Sequence, residues 1–377
     1  MSRFTLIVTA ILGAGYAYVA SRLGSDVLDR LALAVPFFLV WIVPMYYWRR
    51  DRDEQGRFDA MVHVASYLSM AWLSFLVVAT LLRDALLAGT ALVQAAEAHA
   101  FVRAHGTPLV YAASVLALFI GALTALRGPR LTTVDVPVEG LHPDLDGFRI
   151  VQVSDLHVGL TIRKGYVRRV VALANSVDAD MVALTGDIVD GSVEALEPHV
   201  AKLAELEAPA FFILGNHDCY SGAAQWCGRF RAMGMRVLLN AGEALTKGRA
   251  TVWIGGVVDP AIRLSNPALS PDAQLAARGA DGADFRVLLA HNPKLAKLGA
   301  HAGFDLQLSG HTHGGQFFPW TLAVRLVHAP HVAGLSREGR MWVYVSAGTG
   351  TWGPPVRFGT TPELTVVRLV RKRDEKR

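Results

Sequence analysis

Short polar motifs recur along the second half of the chain, each directly after a predicted β-strand. They occupy residues 154–157 (S-D-L-H), 186–191 (G-D-I-V-D-G), 215–218 (G-N-H-D), 291–292 (H-N) and 310–316 (G-H-T-H-G-G-Q). Carboxylates, an amide oxygen and imidazoles bind divalent metals without any thiolate. One such motif alone is more simply a cap or a turn. Five in succession favour a pair of divalent metal ions.

Short β-branched runs alternate with amphipathic stretches around these motifs, which is typical of an α/β domain. The predicted strands are 149–153, 181–184, 210–214, 251–254, 286–289, 305–308, 342–345 and 364–370, and the predicted helices are 167–175, 193–207 and 223–233. Ligands of open α/β sheets bind at the carboxyl ends of the strands. We therefore expect the five motifs to meet at one rim.

The first third of the chain has the composition of a membrane protein. Hydrophobic residues make up 52% of the 377 residues and charged ones only 18%, with a mean hydropathy of +0.32. Four stretches lack charge, at residues 4–20, 31–48, 61–82 and 108–126. Because about 20 helical residues span a bilayer, the sequence predicts four transmembrane helices within 1–130. Buried soluble helices, or a cleaved signal peptide for the first stretch, are the alternatives.

Charge and cysteine content exclude several classes of protein. The formal net charge is +5, and residues 131–377 are nearly neutral, so nothing favours a nucleic-acid partner. Two cysteines exclude a disulfide framework and a cysteine-built metal centre. The expected partners are the membrane bilayer and a phosphoester or pyrophosphate substrate, which in one hypothesis is linked to a lipid.

The five motifs resemble those of the calcineurin-like metallophosphoesterase superfamily, whose pattern is D-x-H, G-D-x-x-D, G-N-H-[DE], H, G-H-x-H. The resemblance covers 148–370, and the G-H-T-H-G-G-Q form with the 353–359 stretch (G-P-P-V-R-F-G) is similar to a bacterial membrane-associated branch. It implies an α/β fold, a two-sheet β-sandwich flanked by helices, preceded by the all-α four-helix transmembrane region. A linker at 131–147 and a charged tail at 371–377 complete the expected domain organisation.

The resemblance also implies a dinuclear metal site. The first metal ion would be held by Asp155, His157 and His313, and the second by Asn216, His291 and His311. Asp187 would bridge the two ions. Mn²⁺ is favoured, and Fe²⁺ and Zn²⁺ also accept this ligand set.

The implied reaction is hydrolysis of a phosphodiester or pyrophosphate bond by a metal-bridging hydroxide. His217 would face the leaving-group oxygen as a general acid or electrostatic stabiliser, and Asp190 would orient it. Asp218 is interpreted as a structural turn residue. The apolar run at 317–320 (F-F-P-W) is either a local cluster or a rim that contacts lipid, which motivates the hypothesis of a lipid-linked substrate.

Two alternative functions remain open. Protein Ser/Thr phosphatases of the superfamily carry Arg where this chain has Gly191, which weakens that interpretation. The other alternative is a non-catalytic, metal-containing scaffold that binds a partner protein. Such scaffolds usually lose a ligand or the acid histidine, and this sequence lacks neither.

The basic residues predict the orientation in the inner or plasma membrane. With four spans and the N-terminus inside, the ends of the helices carry seven arginines on the inner side and four on the outer side. We therefore expect the C-terminal domain to lie in the cytoplasm. Green fluorescent protein fused after Arg377 should then be fluorescent, and alkaline phosphatase fused there should be inactive. The reverse pair of signals would place the C-terminal domain outside the cytoplasm.

Overall fold

A computed structural model describes residues 3–46 and 57–372, and its chain divides into two compact units. The first, which we call the helical unit, comprises Met1–Leu126, Phe317–Pro319 and Gly353–Gly359. The second, the sandwich unit, comprises Arg127–Gln316, Trp320–Trp352 and Thr360–Arg377. The end of the charged tail, residues 373–377, lies outside the described residues.

The helical unit contains four helices within its described residues: α1 (Arg3–Leu23), α2 (Val27–Tyr46), α3 (Arg57–Leu92) and α4 (Ala96–Leu126). Two stretches, Phe58–Leu92 and Ala96–Leu126, are long and apolar enough to cross a membrane. The predicted count of four spans stays a prediction, and the end of the second predicted span, residues 47–48, is not described.

Two short segments from the second half of the chain pack within the helical unit. The Phe317 and Phe358 rings lie 5.7 and 5.3 Å, centroid to centroid, from the Phe75 ring of α3. The backbone N–H of Arg357 donates to the carbonyl of Gly121 in α4 at 2.9 Å. A Cβ at Gly121 would meet the Val356 side chain, so this glycine permits the close approach.

The sandwich unit contains two six-stranded mixed sheets. Its strands are β1 (Arg130–Val138), β2 (Arg149–Val153), β3 (Met181–Leu184), β4 (Ala210–Phe212), β5 (Arg236–Val237), β6 (Ala241–Lys247), β7 (Ala250–Gly256), β8 (Phe285–Leu289), β9 (Leu306–Ser309), β10 (Gly334–Glu338), β11 (Met341–Val345) and β12 (Glu363–Arg371). The strand orders are β1-β12-β2-β3-β4-β5 and β10-β11-β9-β8-β7-β6. In the first sheet β2 to β5 are parallel, and β12 pairs antiparallel with β2. In the second sheet β7, β8, β9 and β11 are parallel, and the edge strands β6 and β10 pair antiparallel with their neighbours.

Helices cover the outer faces of the two sheets. They are α5 (Lys164–Asn175), α6 (Val193–Val200), α7 (Asn216–Tyr220), α8 (Ala223–Ala232), α9 (Ala273–Ala276) and α10 (Ala296–His301). A further helix, α11 (Trp320–His328), has no buried residue. Ile150 packs between the sheets, whereas the next residue, Val151, packs against the outer helices. Burial on both faces is expected of parallel strands. The fold class predicted from the sequence is confirmed.

The expected linker at 131–147 differs from the structure, because most of it is strand β1 and the turn after it. β1 pairs in parallel with β12 along nine residues. Val134, Val136 and Val138 face the core at every second position, while Thr133 and Asp135 are exposed. Such polar–apolar alternation, with Pro137 in the strand, is typical of a sheet edge. The short or exposed strands β5, β6 and β10 were also not predicted.

Strand β1 yields a test of this difference. Val136 is fully buried, so Val136→Ala in the full-length chain should lower the free energy of unfolding by about 2 kcal/mol through lost burial and a cavity. Thr133→Ala, on the exposed face of the same strand, should change it by less than about 0.5 kcal/mol. Denaturant unfolding in detergent measures both. Equal effects would mean that this segment is a linker.

Candidate metal centre

The loops that follow five parallel strands meet at one end of the sandwich unit. β2, β3 and β4 supply loops from the first sheet, and β8 and β9 supply loops from the second. The structure brings together all nine predicted site residues: Asp155, His157, Asp187, Asp190, Asn216, His217, His291, His311 and His313. Their order along the chain follows the order of the strands that carry them.

Asp155, His157 and His313 form one group. The Nε2 atoms of the two histidines are 3.0 Å apart, and His313 Nε2 lies 3.4 Å from Asp155 Oδ1. All three residues are buried, and Asp155 Oδ2 has no hydrogen-bond partner within the described chain. Three donor atoms that converge in this way, with a buried carboxylate oxygen left over, fit a bound cation.

Asp187, His291 and His311 form a second group. His291 Nε2 lies 3.1 Å from Asp187 Oδ2, and Asn216 Oδ1 lies 2.9 Å from His311 Nδ1. His291 Nδ1 lies 2.8 Å from the carbonyl oxygen of Thr185, which can only accept a hydrogen bond. Donation to that carbonyl leaves the Nε2 lone pair of His291 directed into the group, the tautomer that a metal ligand needs.

Asp187 lies between the two groups. Its Oδ2 is 3.1 Å from His291 Nε2 and 3.8 Å from His157 Nε2. Its other oxygen, Oδ1, accepts the backbone N–H of His217 at 2.7 Å. One carboxylate therefore reaches both groups, as the bridging position implied by the resemblance requires.

His217 lies on the open side of the site. Its side chain is 18% exposed, compared with 1% for His157 and none for His291. The Nδ1 atom of His217 is 2.8 Å from Asp190 Oδ1. The same carboxylate oxygen is 3.1 Å from His157 Nδ1, a contact that the sequence did not predict. Asp190 therefore orients both His217 and a residue of the first group.

The charges of these residues depend strongly on one another. Burial disfavours the charged form of His157, but Asp190 and Asp187 raise its pKa to about 9. Burial likewise opposes ionisation of Asp190, yet His157 and His217 hold its pKa well below the usual range. Burial and the neighbouring His291 lower the pKa of His311 to about 3. A cation bound here would displace the proton of His157, so metal binding is expected to release protons.

Backbone strain is concentrated at the same residues. Eight non-glycine residues in the described ranges have positive φ, and five of them are Asp155, His157, Asp187, His311 and His313. A left-handed conformation costs a non-glycine residue about 1 kcal/mol or more. The fold maintains this strain at five neighbouring positions, which is typical of a functional site.

Two glycines allow the loops to approach one another. A Cβ at Gly310 would overlap Ser154 Oγ and the Oδ2 atom of Asp155, and one at Gly215 would overlap the carboxylate of Asp187. Each position therefore excludes any larger residue unless a candidate ligand moves. The glycines of the motifs serve close packing of the loops as well as sharp turns.

Asp218 has a structural role, as interpreted from the sequence, but one that extends beyond its own turn. Its buried carboxylate accepts four backbone N–H groups, from Gly215, Asp187, Ile188 and Val189, at 2.8 to 3.1 Å. These donors belong to two different loops, after β3 and β4. Asp218 therefore fixes the loop that carries Asp187 and Asp190 to the loop that carries Asn216 and His217. Its place next to His217 in the third motif was the only signal.

Comparison with known proteins identifies the family. The model of the calcineurin-like phosphoesterase family matches residues 148–315. An uncharacterized metallophosphoesterase of Campylobacter jejuni is 32% identical over 264 residues, which cover 69% of this chain and 68% of that protein. The chain belongs to the calcineurin-like phosphoesterase family. Membership confirms the resemblance and implies divalent metal ions for the clusters described above.

Two vertebrate proteins are similar to the same extent. The "Transmembrane protein with metallophosphoesterase domain" of Danio rerio is 34% identical over 273 residues, 68% of this chain and 62% of that protein. Its counterpart in Bos taurus is 33% identical, with 66% and 59% covered. The matched region thus spans about three fifths of these relatives.

A solved structure shows a more distant similarity. The 5'-nucleotidase precursor of Thermus thermophilus is 18% identical, with a TM-score of 0.39 and coverage of 59% of this chain and 54% of that chain. Similarity at this level carries no argument about the substrate.

Substitution of Asp218 tests whether it organises the site. Asp218→Ala leaves four buried N–H groups without an acceptor, so we expect a loss of about 3 kcal/mol or more of stability and a clear drop in bound metal. Asp272→Ala removes an exposed helix N-cap and should cost about 1 kcal/mol with metal content unchanged. Denaturant unfolding and elemental analysis measure both. Asp218→Ala with the stability and metal content of the control would show that the loops do not depend on it.

Proposed function

We propose that this protein is a membrane-anchored, dinuclear-metal-dependent phosphohydrolase that cleaves a phosphodiester or pyrophosphate bond. The observation that carries the proposal is the position of Asp187, whose carboxylate lies between two separate groups of metal-type ligands. A single structural ion would need only one of these groups. Two adjoining groups with a shared carboxylate suit a pair of ions that bind the same phosphoryl group.

In this proposal Asp155, His157 and His313 would hold one ion, Asn216, His291 and His311 would hold the other, and Asp187 would serve both. Divalent ions, when bound, neutralise phosphoryl charge and lower the pKa of bound water. Mn²⁺ is the favoured ion, and Fe²⁺ or Zn²⁺ also suits these donors. The burial of most of these ligands keeps bulk water from competing for the ions.

His217 contacts the substrate from the open side. The Asp190 carboxylate at 2.8 Å fixes the His217 ring and favours a proton on Nδ1. The other ring nitrogen is then available to donate to, or stabilise charge on, the leaving-group oxygen. In this mechanism Asp190 is a positioning residue, and its second contact, to His157, ties the orientation of His217 to the metal ligands.

The N-terminal helices provide the membrane anchor. α3 and α4 are the two helices whose described residues satisfy the length and composition of a membrane span. We propose a four-span, multi-pass arrangement in the inner or plasma membrane with the sandwich unit in the cytoplasm. A phosphate or pyrophosphate attached to a lipid is the substrate class that an anchored enzyme of this kind reaches most readily.

Two variants separate metal binding from proton transfer. We expect wild-type protein with Mn²⁺ to hydrolyse bis(p-nitrophenyl) phosphate and to lose this activity on chelation. Asp187→Asn should lose metal together with activity, because its charge holds the ions. His217→Ala should keep its metal and lose about 10²–10³-fold in kcat. His301→Ala is the matched histidine control, because His301 is exposed at the end of α10 and belongs to none of the five motifs.

The results can contradict the proposal in distinct ways. Two results would contradict the dinuclear mechanism. One is turnover by Asp187→Asn at the wild-type rate, and the other is at most one metal ion per folded molecule. Metal-loaded wild-type protein without turnover of any phosphoester would favour the scaffold alternative. Faster hydrolysis of soluble diesters than of lipid-linked ones would contradict only the assignment of a lipid-linked substrate, and the phosphohydrolase activity itself would stand.

A further inference from the structure

Several large apolar side chains of helix α11 are exposed. None of its nine residues is buried. The relative exposure is 44% for Trp320, 52% for Leu322, 89% for Leu326 and 58% for Val327. Leu322 and Leu326, four residues apart, lie on one side of the helix, and Trp320 and Val327, seven apart, lie on the adjoining side, so the exposed apolar stripe covers nearly half of the helix circumference. A contiguous exposed apolar stripe of this kind marks a contact surface.

The chain places this helix directly after a segment of the helical unit. Pro319, which ends that segment, immediately precedes Trp320, and Phe317 packs on Phe75 of α3. The second segment of the helical unit, Gly353–Gly359, follows Trp352, which is 48% exposed. An exposed tryptophan therefore adjoins each segment. Tryptophan is enriched where protein meets the boundary between lipid and water.

The other end of α11 reaches the candidate metal centre. The ring of His328, its last residue, lies 5.3 Å from the ring of His311, edge to face. A helix of nine residues is about 13 Å long. α11 therefore begins next in sequence to a segment of the helical unit and ends at a residue whose ring contacts the candidate ligand His311.

We propose that α11 lies in the membrane interface, with its Leu322, Leu326 and Val327 face in contact with the acyl chains of the bilayer. It thereby presents the metal centre to phosphate groups at the bilayer surface. The bilayer is the occupant favoured over a partner protein, because the segment preceding α11 already packs on α3. The exposed Arg325 next to Leu326 adds attraction for anionic lipid. This inference rests on the proposed function and assigns its substrate to the lipid surface.

A fluorescent probe at Leu326 tests the contact directly. Full-length protein is reconstituted into vesicles of phosphatidylcholine and phosphatidylglycerol, and Leu326→Cys is labelled with the nitrobenzoxadiazole fluorophore. Asp178→Cys is the control, since that side chain is fully exposed and precedes β3, at the opposite end of the strand from the site. The native thiols, Cys219 and Cys227, are both buried. Reactive surface thiols are therefore limited to the introduced ones.

We expect lipids that carry a doxyl quencher to reduce the emission of the probe at 326 at least threefold more than at 178. Equal quenching at the two positions would overturn the proposal. A blue-shifted emission at 326 without lipid quenching would also overturn it, because it would indicate a second copy or another protein as the occupant.

Activity on two substrates links the contact to function. Leu326→Ser combined with Val327→Ser alters only exposed side chains outside the catalytic site. We expect its hydrolysis of a vesicle-embedded lipid phosphodiester with a p-nitrophenyl leaving group to fall at least tenfold, and its hydrolysis of bis(p-nitrophenyl) phosphate to change less than twofold. Equal losses on both substrates, or no loss on either, would contradict a role in lipid access. If wild-type protein cleaved neither substrate, the proposed function would fail, while the quenching result would still decide the placement of α11.

Discussion

Two carboxylates, Asp155 and Asp187, are buried at the end of the sandwich unit where strands of both sheets terminate, and the surroundings of the site follow from their charge. A buried carboxylate costs several kcal/mol unless it is paired and hydrogen-bonded. Imidazoles surround both groups, and Asp155 Oδ2 still has no hydrogen-bond partner among the described residues. The neighbouring loops must also approach closely, which explains the glycines at 215 and 310 and the left-handed backbone at five candidate ligands. The charge of divalent ions would complete this arrangement.

A second carboxylate pair supports the first. Asp218 is entirely enclosed and accepts four N–H groups, so it holds two loops in register. Asp190 lies further out and contacts both His157 and His217. Asp190 and His217 are both more exposed than Asp155, His157 and His313. The residue proposed to contact the leaving group is partly open to solvent, and its orientation depends on the same carboxylate that orients a ligand.

The helical unit includes two segments from the second half of the chain. The helical unit is not simply an N-terminal extension, because Phe317–Pro319 and Gly353–Gly359 belong to it as well. Each segment contributes a phenylalanine that packs on Phe75, and both are continuous in sequence with loops of the sandwich unit. Phe317 follows the last candidate ligand, His313, by only four residues. The chain therefore passes from one unit to the other at more than one point of the sequence.

The sequence alone determined the fold class, the family and the nine candidate site residues. Strand periodicity, turn glycines and metal-type side chains are local signals, and each motif can be recognised from a few consecutive residues. Only the tertiary structure could show that β1 pairs with β12, more than 220 residues away, that Asp218 joins two loops, that Asp190 contacts two histidines, and that Phe317 packs on Phe75. These features depend on contacts between residues far apart in the chain. A single sequence records the residues at both ends of such a contact but not the geometry that brings them together.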